Sequence, residues 1–186
     1  MPTWLNPRIL AITGPESTGK STLAEAFASK TGALLIPEFA RRYLEKKPVP
    51  GYTYYDYLAM ARGQMLHHIL IQSTERAVVV LDTDPVVLKV WGLVKYGQFP
   101  EFLENLYQRC RCDVHLLCAP DLPWVPDPLR ENPDDRKEVF RRYVELLEAE
   151  NKPFAIVTGS GEKRFENAWG HVANFGLLDG ASRKDS

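Results

Sequence analysis

The sequence predicts an α/β fold of three layers, in which helices cover both faces of a five-stranded parallel sheet. Five short runs of apolar residues carry no polar alternation, which is typical of strands that are buried on both faces. Longer segments with apolar residues at helical spacing separate these runs. The predicted strands are residues 9–12, 33–36, 77–81, 114–117 and 154–157.

The segments between the strands predict the covering helices. A helical pattern begins near Thr22, and others cover residues 54–74, 86–96, 100–109, 136–150 and 162–175. Gly97 and Pro100 break the third helical stretch in two. On the 54–74 helix we expect Leu58, Met65, Leu66, Ile69 and Leu70 to face inward, and on the 136–150 helix Val139, Phe140, Tyr143, Leu146 and Leu147.

Size and composition indicate one globular domain. The chain has 186 residues, of which 45% are hydrophobic and 25% are charged, with a formal net charge of −1. We therefore expect one domain over residues 1–180, a lid segment at about 121–135 and a disordered tail at 181–186. A nearly neutral chain without a long apolar stretch predicts neither a nucleic-acid partner nor a membrane partner. The sequence specifies no oligomeric state.

The three cysteines and the N-terminal residues favour a cytoplasmic protein. An odd number of cysteines without framework spacing fits a reducing compartment, and no basic-then-apolar export signal precedes residue 9. Cys110 and Cys112 could form half of a metal site, but no second pair completes it. Inert thiols are the preferred interpretation.

The segment Gly14–Ser21 is the strongest functional motif. It reads Gly-Pro-Glu-Ser-Thr-Gly-Lys-Ser, between a predicted strand and a predicted helix. Such a loop turns backbone N–H groups toward an anion at a helix N-terminus, which predicts a P-loop nucleoside triphosphate site for ATP and Mg²⁺. Lys20 would reach the terminal phosphates and Ser21 the metal ion. The expected ATP contacts in this region are Gly14, Glu16, Ser17, Thr18, Gly19, Lys20, Ser21 and Thr22.

Carboxylates follow two predicted strands, at the sheet edge where α/β proteins place their chemistry. Asp82 directly follows an apolar strand and is expected to join the metal site with Ser21. Asp84 precedes Pro85 and is either a helix cap or a substrate ligand. Glu38 is expected to orient the hydroxyl of an acceptor, or else is a surface glutamate. Arg41 or Arg42 could steady phosphoryl charge, or either arginine could lie on a solvated face.

A proline-rich segment follows the fourth strand and predicts a lid. Five prolines between residues 119 and 133 exclude a regular helix over most of it. In small-molecule kinases this position holds the mobile lid that closes over the phosphates. Arg130 is the first choice for stabilising the transferring phosphoryl group and contacting ATP, and Arg136 is the second.

Together these segments resemble the ribosylnicotinamide kinase module of NadR-type proteins, from about residue 9 to about residue 168. The matching segments are Gly14–Ser21, Pro37–Arg41, Arg62–Gln64, Asp82–Asp84, Asp121–Trp124 and Leu129–Arg130. The resemblance implies a P-loop kinase that phosphorylates the 5′-hydroxyl of nicotinamide riboside to make nicotinamide mononucleotide for NAD salvage. We expect a stand-alone kinase without the other NadR domains. Pro128 departs from the expected lid glycine.

The implied substrate suggests further contacts. Nicotinamide riboside is a cation, so an aromatic face would favour it, and the candidates are Tyr55, Trp91, Tyr96 and Trp124, unless these belong to the core. Gln64 could bond the carboxamide or be an exposed helical residue. Gly159, in the loop 158–161, could approach adenine or simply form a turn. Lys20, Glu38, Asp82 and Arg130 are the expected catalytic residues.

Two other functions fit the same motifs. A kinase for another nucleoside or small alcohol would use the same residues on a different acceptor. A nucleotide-hydrolysing switch would also need the P-loop, but no Asn-Lys-x-Asp guanine motif is present.

Overall fold

A computed structural model describes residues 7–47, 51–126, 130 and 134–177. Within them a five-stranded sheet has the order β2-β3-β1-β4-β5, and every neighbouring pair is parallel. The strands are β1 (Arg8–Thr13), β2 (Leu34–Ile36), β3 (Val78–Asp82), β4 (Val114–Cys118) and β5 (Phe154–Val157). The predicted fold class is confirmed. Ile12 of β1 pairs with Asp82 on one side and Leu116 on the other, so the carboxyl ends of the central strands lie level.

Helices cover both faces of the sheet. They are α1 (Lys20–Thr31), α2 (Phe39–Leu44), α3 (Tyr54–Ile71), α4 (Pro85–Tyr96), α5 (Glu101–Tyr107), α6 (Arg136–Ala149) and α7 (Gly161–Asn174). Leu23 and Phe27 of α1 pack with Val172 of α7 against one face. The opposite core joins α3, α4, α5 and α6. Tyr143 and Leu147 of α6 are buried there, as the sequence predicts.

The inward face of α3 is partly the one predicted, because Met65 is buried and Leu58 and Ile69 pack against the core. Leu66 and Leu70 are 39% and 73% exposed, whereas Gln64 and His68 are buried. Both inward polar side chains bond the backbone of other segments: Gln64 bonds Phe39 and Thr83, and His68 bonds the carbonyl of Arg111. The prediction was wrong for Leu66 and Leu70, and hydropathy does not register the hydrogen bonds that satisfy buried polar side chains on the inward face.

The start of α4 fixes the backbone beside β3. Asp84 caps the helix by accepting a hydrogen bond from the N–H of Val87 at 3.3 Å, and Pro85 occupies the first turn. Thr83 lies between the end of β3 and Asp84, and its φ of 70° is an unusual conformation for a β-branched residue. At the other end, Gly97 adopts the left-handed conformation and ends α4, as predicted.

Parts of the sequence predictions fall on residues outside the described set. These are the N-terminal residues 1–6, lid residues 127–129 and 131–133 with Pro128, and the tail 181–186. The described lid residues, 121–126, 130 and 134–135, form no helix. Among the described residues, no helix has the length and apolar character needed to cross a bilayer.

Candidate active site

A cavity of about 280 Å³ opens at the carboxyl edge of the sheet. Its polar end is formed by the P-loop and its flanks: Gly14, Pro15, Glu16, Ser17, Thr18, Gly19, Lys20, Ser21, Thr22, Glu38, Arg41 and Thr83. Its other end is largely apolar: Ala40, Leu44, Val87, Val90, Trp91, Val94, Val139 and Tyr143. Lys95, Arg130 and Arg136 complete the wall. The structure thus brings all the predicted P-loop contacts to one cavity.

Local backbone geometry shapes the loop into a cradle. Gly14 has a φ of 131°, and a Cβ atom there would lie 2.8 Å from the carbonyl oxygen of Cys118, so only glycine fits. Gly19 has a φ of 74° and leads into α1 at Lys20 without a side-chain cap. The N–H groups of the first turn therefore have no acceptor within the helix, which is the arrangement that favours a bound anion. Pro15 supplies the carbonyl that accepts hydrogen bonds from Thr18 Oγ1 at 2.8 Å and Lys20 Nζ at 2.7 Å.

Two carboxylates flank the cradle. Glu38 precedes α2 and lines the cavity, while Asp82 ends β3 and is 8% exposed. Burial raises the pKa of Glu38, partly opposed by the charge of Lys20. Burial also raises the pKa of Asp82, and a hydrogen bond from Ser21 acts in the opposite direction. Two carboxylates with elevated pKa values beside one lysine form a site suited to chemistry on a phosphoryl group.

The residues predicted to hold Mg²⁺ fit that ion. Oδ1 of Asp82 is buried and has no hydrogen-bond partner among the described residues. The Ser21 hydroxyl bonds the Asp82 carboxylate, so the end of β3 and the first turn of α1 place these two groups together. Hydroxyl and carboxylate oxygens are the ligands that Mg²⁺ prefers, and an unpaired buried oxygen is costly without a cation or water.

The apolar end contains one of the four predicted aromatic contacts. Trp91 lines the cavity, and its Nε1 donates to the hydroxyl of Tyr52 at 2.9 Å. Lys95 also donates to that hydroxyl, at 2.7 Å. Tyr143 faces the same space, and burial holds the pKa of its phenol well above the ordinary value. Tyr143 and Lys95 were not predicted as site residues, although Tyr143 was placed on the inward face of its helix.

Gln64 and Asp84 do not reach the cavity, which corrects their predicted roles as substrate ligands. Gln64 is 2% exposed; its Oε1 accepts from the N–H of Phe39 at 2.7 Å and its Nε2 donates to the carbonyl of Thr83 at 3.2 Å. Asp84 is fully buried and caps α4, so the alternative role proposed for it is the one observed. Both residues hold the backbone around Glu38 and Asp82 in place.

Four further predicted contacts lie outside the cavity wall. Tyr55 is 81% exposed on α3, and Tyr96 packs against Tyr54 at a centroid separation of 4.8 Å. Trp124 lies 5.7 Å from the guanidinium of Arg136, which occupies its ring face. The N–H of Gly159 already donates to Asp121 at 2.7 Å. None of these four residues is among those that line the cavity, and three of them have contacts elsewhere.

The described part of the lid is bonded to the P-loop. Arg136 Nη1 donates to the carbonyl oxygens of Leu122 at 2.9 Å and Ser17 at 3.3 Å. The N–H of Val125 donates to Ser17 Oγ at 2.9 Å, and Arg130 donates to the carbonyl of Val125. Both predicted lid arginines therefore line the cavity, and Arg136 makes the direct contact with the loop.

A second cluster of potential metal ligands is explained by its own contacts. Among the described residues, ligand atoms of Asp84, Cys112 and His115 lie within 4.8 Å of one another. Asp84 Oδ2 is 3.4 Å from His115 Nε2, and although burial opposes its charge, the bond and charge of His115 lower the pKa of Asp84. Burial raises the pKa of the Cys112 thiol well above its usual value, which favours a neutral thiol beside the Asp84 carboxylate.

Known proteins are similar to this chain in sequence. The trifunctional NAD biosynthesis/regulator protein NadR of Escherichia coli K12 is 30% identical over 167 residues, which cover 84% of this chain and 40% of NadR. The chain thus spans about two fifths of the length of the curated relatives that it matches. The resemblance to NadR-type proteins is confirmed by this similarity.

Solved structures agree with the fold. A NadR protein in complex with NAD and AMP-PNP superposes with a TM-score of 0.71 at 25% identity, covering 91% of this chain and 50% of that one. A NadR protein in complex with NR gives 0.68 at 22% identity, covering 91% and 51%. Thymidylate kinase from Candida albicans gives 0.66 at 15% identity, covering 92% and 93%. The last two show the fold alone.

A family model described as AAA domain matches residues 9–164, from the first strand through the start of the last helix. This match includes the phosphate cradle, both carboxylates and the lid. Because the family model matches most of the chain, the chain belongs to the AAA domain family.

Proposed function

We propose that the protein transfers the γ-phosphoryl group of MgATP to the 5′-hydroxyl of nicotinamide riboside. One observation carries the proposal: Lys20 and Glu38 line the polar end of a cavity whose other end is apolar and contains Trp91 and Tyr143. A triphosphate and a flat heteroaromatic nucleoside need these two environments side by side. The NadR proteins solved with AMP-PNP and with NR support the same pair of ligands.

The phosphate loop would hold the triphosphate. The N–H groups at the start of α1 and the ammonium of Lys20 would bind the β- and γ-phosphates. Ser21 and Asp82 would hold Mg²⁺, which neutralises phosphate charge when it is bound. Arg130 and Arg136, at the lid side of the cavity, would offset the charge that spreads over the equatorial oxygens during transfer.

Glu38 would orient and deprotonate the acceptor. The 5′-oxygen attacks the γ-phosphorus, the bond to the β–γ bridging oxygen breaks, ADP leaves, and the hydroxyl proton passes to Glu38. Burial raises the pKa of Glu38, so its carboxylate is a better proton acceptor than an ordinary surface carboxylate. Arg41, on the next turn of the same segment, would steady the phosphoryl oxygens.

The apolar end would hold the nicotinamide ring. The indole of Trp91 is fixed by the hydroxyl of Tyr52 and by an edge contact with the ring of Tyr57. A fixed aromatic face favours a cationic ring, and the apolar walls favour its removal from water.

The test is an assay of purified protein with MgATP over a panel of nucleosides and small alcohols, in which ADP release and phosphorylated product are measured. We expect nicotinamide riboside to have the highest kcat/KM. Rapid turnover of another nucleoside together with none of nicotinamide riboside would retain a kinase and refute this acceptor. ATP hydrolysis that no acceptor stimulates would refute the kinase and favour a nucleotide-dependent switch.

A further inference from the structure

Arg164 is a buried arginine that no motif singles out. It lies in the first turn of α7 and is 4% exposed. Nη1 donates to Asp121 Oδ1 at 2.7 Å and to the carbonyl of Gly159 at 2.8 Å. Nη2 donates to the carbonyls of Thr18 at 2.9 Å and Ala119 at 3.1 Å. One guanidinium therefore uses its planar fork to join the phosphate loop, the ends of β4 and β5, and the root of the lid.

Asp121 completes this arrangement as the partner of Arg164. Its Oδ1 accepts from Arg164, and its Oδ2 accepts from the N–H of Gly159 at 2.7 Å. The carboxylate and the guanidinium thus hold the same residue, Gly159, from its N–H and from its carbonyl. The Arg164 side chain is 5% exposed and that of Asp121 is 36% exposed, so the negative charge is the better hydrated of the two.

The contact with Thr18 determines where a neighbouring N–H group points. The peptide between Thr18 and Gly19 is planar and trans, so its carbonyl and its N–H point in opposite directions. Arg164, which is not among the residues that line the cavity, holds the Thr18 carbonyl on its own side, so the N–H of Gly19 points away from the guanidinium, and Gly19 lines the cavity. A Cβ atom on Gly19 would lie 3.9 Å from Arg164 Nε, so the guanidinium packs directly behind the loop.

We infer that Arg164 is a positioning residue for the phosphate donor. It orients the peptide of Thr18 and Gly19 for a phosphate oxygen and places a buried positive charge behind the cradle. Asp121 keeps the guanidinium in that orientation and links it to the lid. This inference rests on the proposed use of ATP at the loop, but it is independent of which acceptor is used.

The experiment compares Arg164→Lys with wild type by calorimetric titration with AMP-PNP and Mg²⁺, and by steady-state kinetics. Lysine keeps the charge, but its single nitrogen cannot bond the carbonyls of Thr18 and Ala119 and also the two acceptors of Nη1. We expect the Kd of AMP-PNP and the KM of ATP to rise roughly tenfold or more, because charge-assisted bonds to the loop are lost. The KM of the acceptor should change less than about twofold, since no acceptor contact is touched.

Arg111→Lys is the matched control. Arg111 also donates to a backbone carbonyl, that of Pro7, but at the amino edge of the sheet. Its replacement should leave both KM values unchanged. Asp121→Asn, which keeps the shape of the carboxylate but weakens its bond to Arg164, should raise the Kd of AMP-PNP by a smaller factor than Arg164→Lys. It serves as the test variant if Arg164→Lys does not fold, as judged by thermal unfolding.

Three outcomes would overturn the inference. The first is a folded Arg164→Lys variant whose Kd for AMP-PNP stays within about twofold of the wild-type value. Equal increases in the KM of ATP and of the acceptor would show a general loss of structure instead. The third is failure of the wild-type protein to bind AMP-PNP, which would refute the proposed function as well. If wild type binds AMP-PNP normally, an unchanged Kd in the variant refutes only the role of Arg164.

Discussion

The two ends of the cavity are built in different ways. The phosphate end comes mostly from one continuous segment, Gly14–Thr22, whose backbone makes the cradle. The apolar end, where we propose that the acceptor binds, comes from side chains on three helices, α2, α4 and α6, that are far apart in the chain. A backbone site tolerates few changes in conformation, whereas a side-chain site can be altered one residue at a time. We therefore expect mutations to abolish activity at the first end and to shift substrate preference at the second.

Replacement of Lys20 should have the largest effect. Lys20→Ala removes the one lysine on the loop itself, and we expect turnover to fall by roughly 10³-fold or more because phosphoryl charge loses its main side-chain partner. Lys30→Ala, at the last turn of the same helix, should remain active. Measurement of kcat by ADP release would check this; a Lys20→Ala variant with near-normal kcat would contradict the assignment of the phosphate end.

Glu38→Gln should have the next largest effect, because Glu38 lines the polar end and is proposed to accept the proton of the acceptor hydroxyl. We expect kcat to fall by roughly 10²–10⁴-fold if the carboxylate accepts the hydroxyl proton. Glu45→Gln, at the exposed end of α2, is the control. Near-normal kcat in Glu38→Gln would move the role of the base to another group, with Asp82 the first to test.

The pH dependence should report the same residue. Glu38 must be ionised to accept a proton, and burial raises its pKa, so activity should increase as the pH rises through this elevated pKa and fall below it. The acidic limb of the kcat/KM profile should therefore lie above the range of an ordinary glutamate. This acidic limb should be absent from the pH profile of the residual activity of Glu38→Gln. If the limb is unchanged in that variant, another group is responsible for the pH dependence.

Trp91→Leu tests the acceptor end. Loss of the aromatic face should raise the KM of a cationic nucleoside roughly tenfold and leave the KM of ATP unchanged. Tyr55→Leu is the matched control, since that ring is exposed on α3 and lies outside the cavity wall. Equal effects on both substrates would show that Trp91 supports the fold around the cavity and does not contact the acceptor.

The smallest effect on catalysis, but a clear effect on stability, is expected for Gln64→Leu. The change leaves the buried N–H of Phe39 and the carbonyl of Thr83 without their partners, which should cost about 1–3 kcal/mol in the free energy of unfolding. Gln108 is exposed at the C-terminal end of α5, so Gln108→Leu should leave the free energy of unfolding nearly unchanged. Denaturant unfolding measures the difference. A Gln64→Leu variant of unchanged stability and raised acceptor KM would restore the role of a substrate ligand.

Local sequence determined the sheet, most of the helices and the phosphate cradle. Buried parallel strands need continuous apolar runs, and the loop needs glycine at Gly14, whose φ of 131° is a backbone conformation that other residues rarely adopt. These requirements act within a few neighbouring residues, so they can be read from the chain. The same applies to Asp84, whose position before Pro85 correctly indicated a cap as one of its two alternatives.

Tertiary structure decided which side chains meet in the cavity and which support it. The sequence predicted Gln64 and Trp124 as ligands, but neither of them lines the cavity. Gln64 bonds the backbone of Phe39 and Thr83, and Trp124 packs against the guanidinium of Arg136. Arg164 gave no sequence signal, because it recognises backbone carbonyls, which every residue type carries. Only the packing of α7 against the loop brings those carbonyls within its reach.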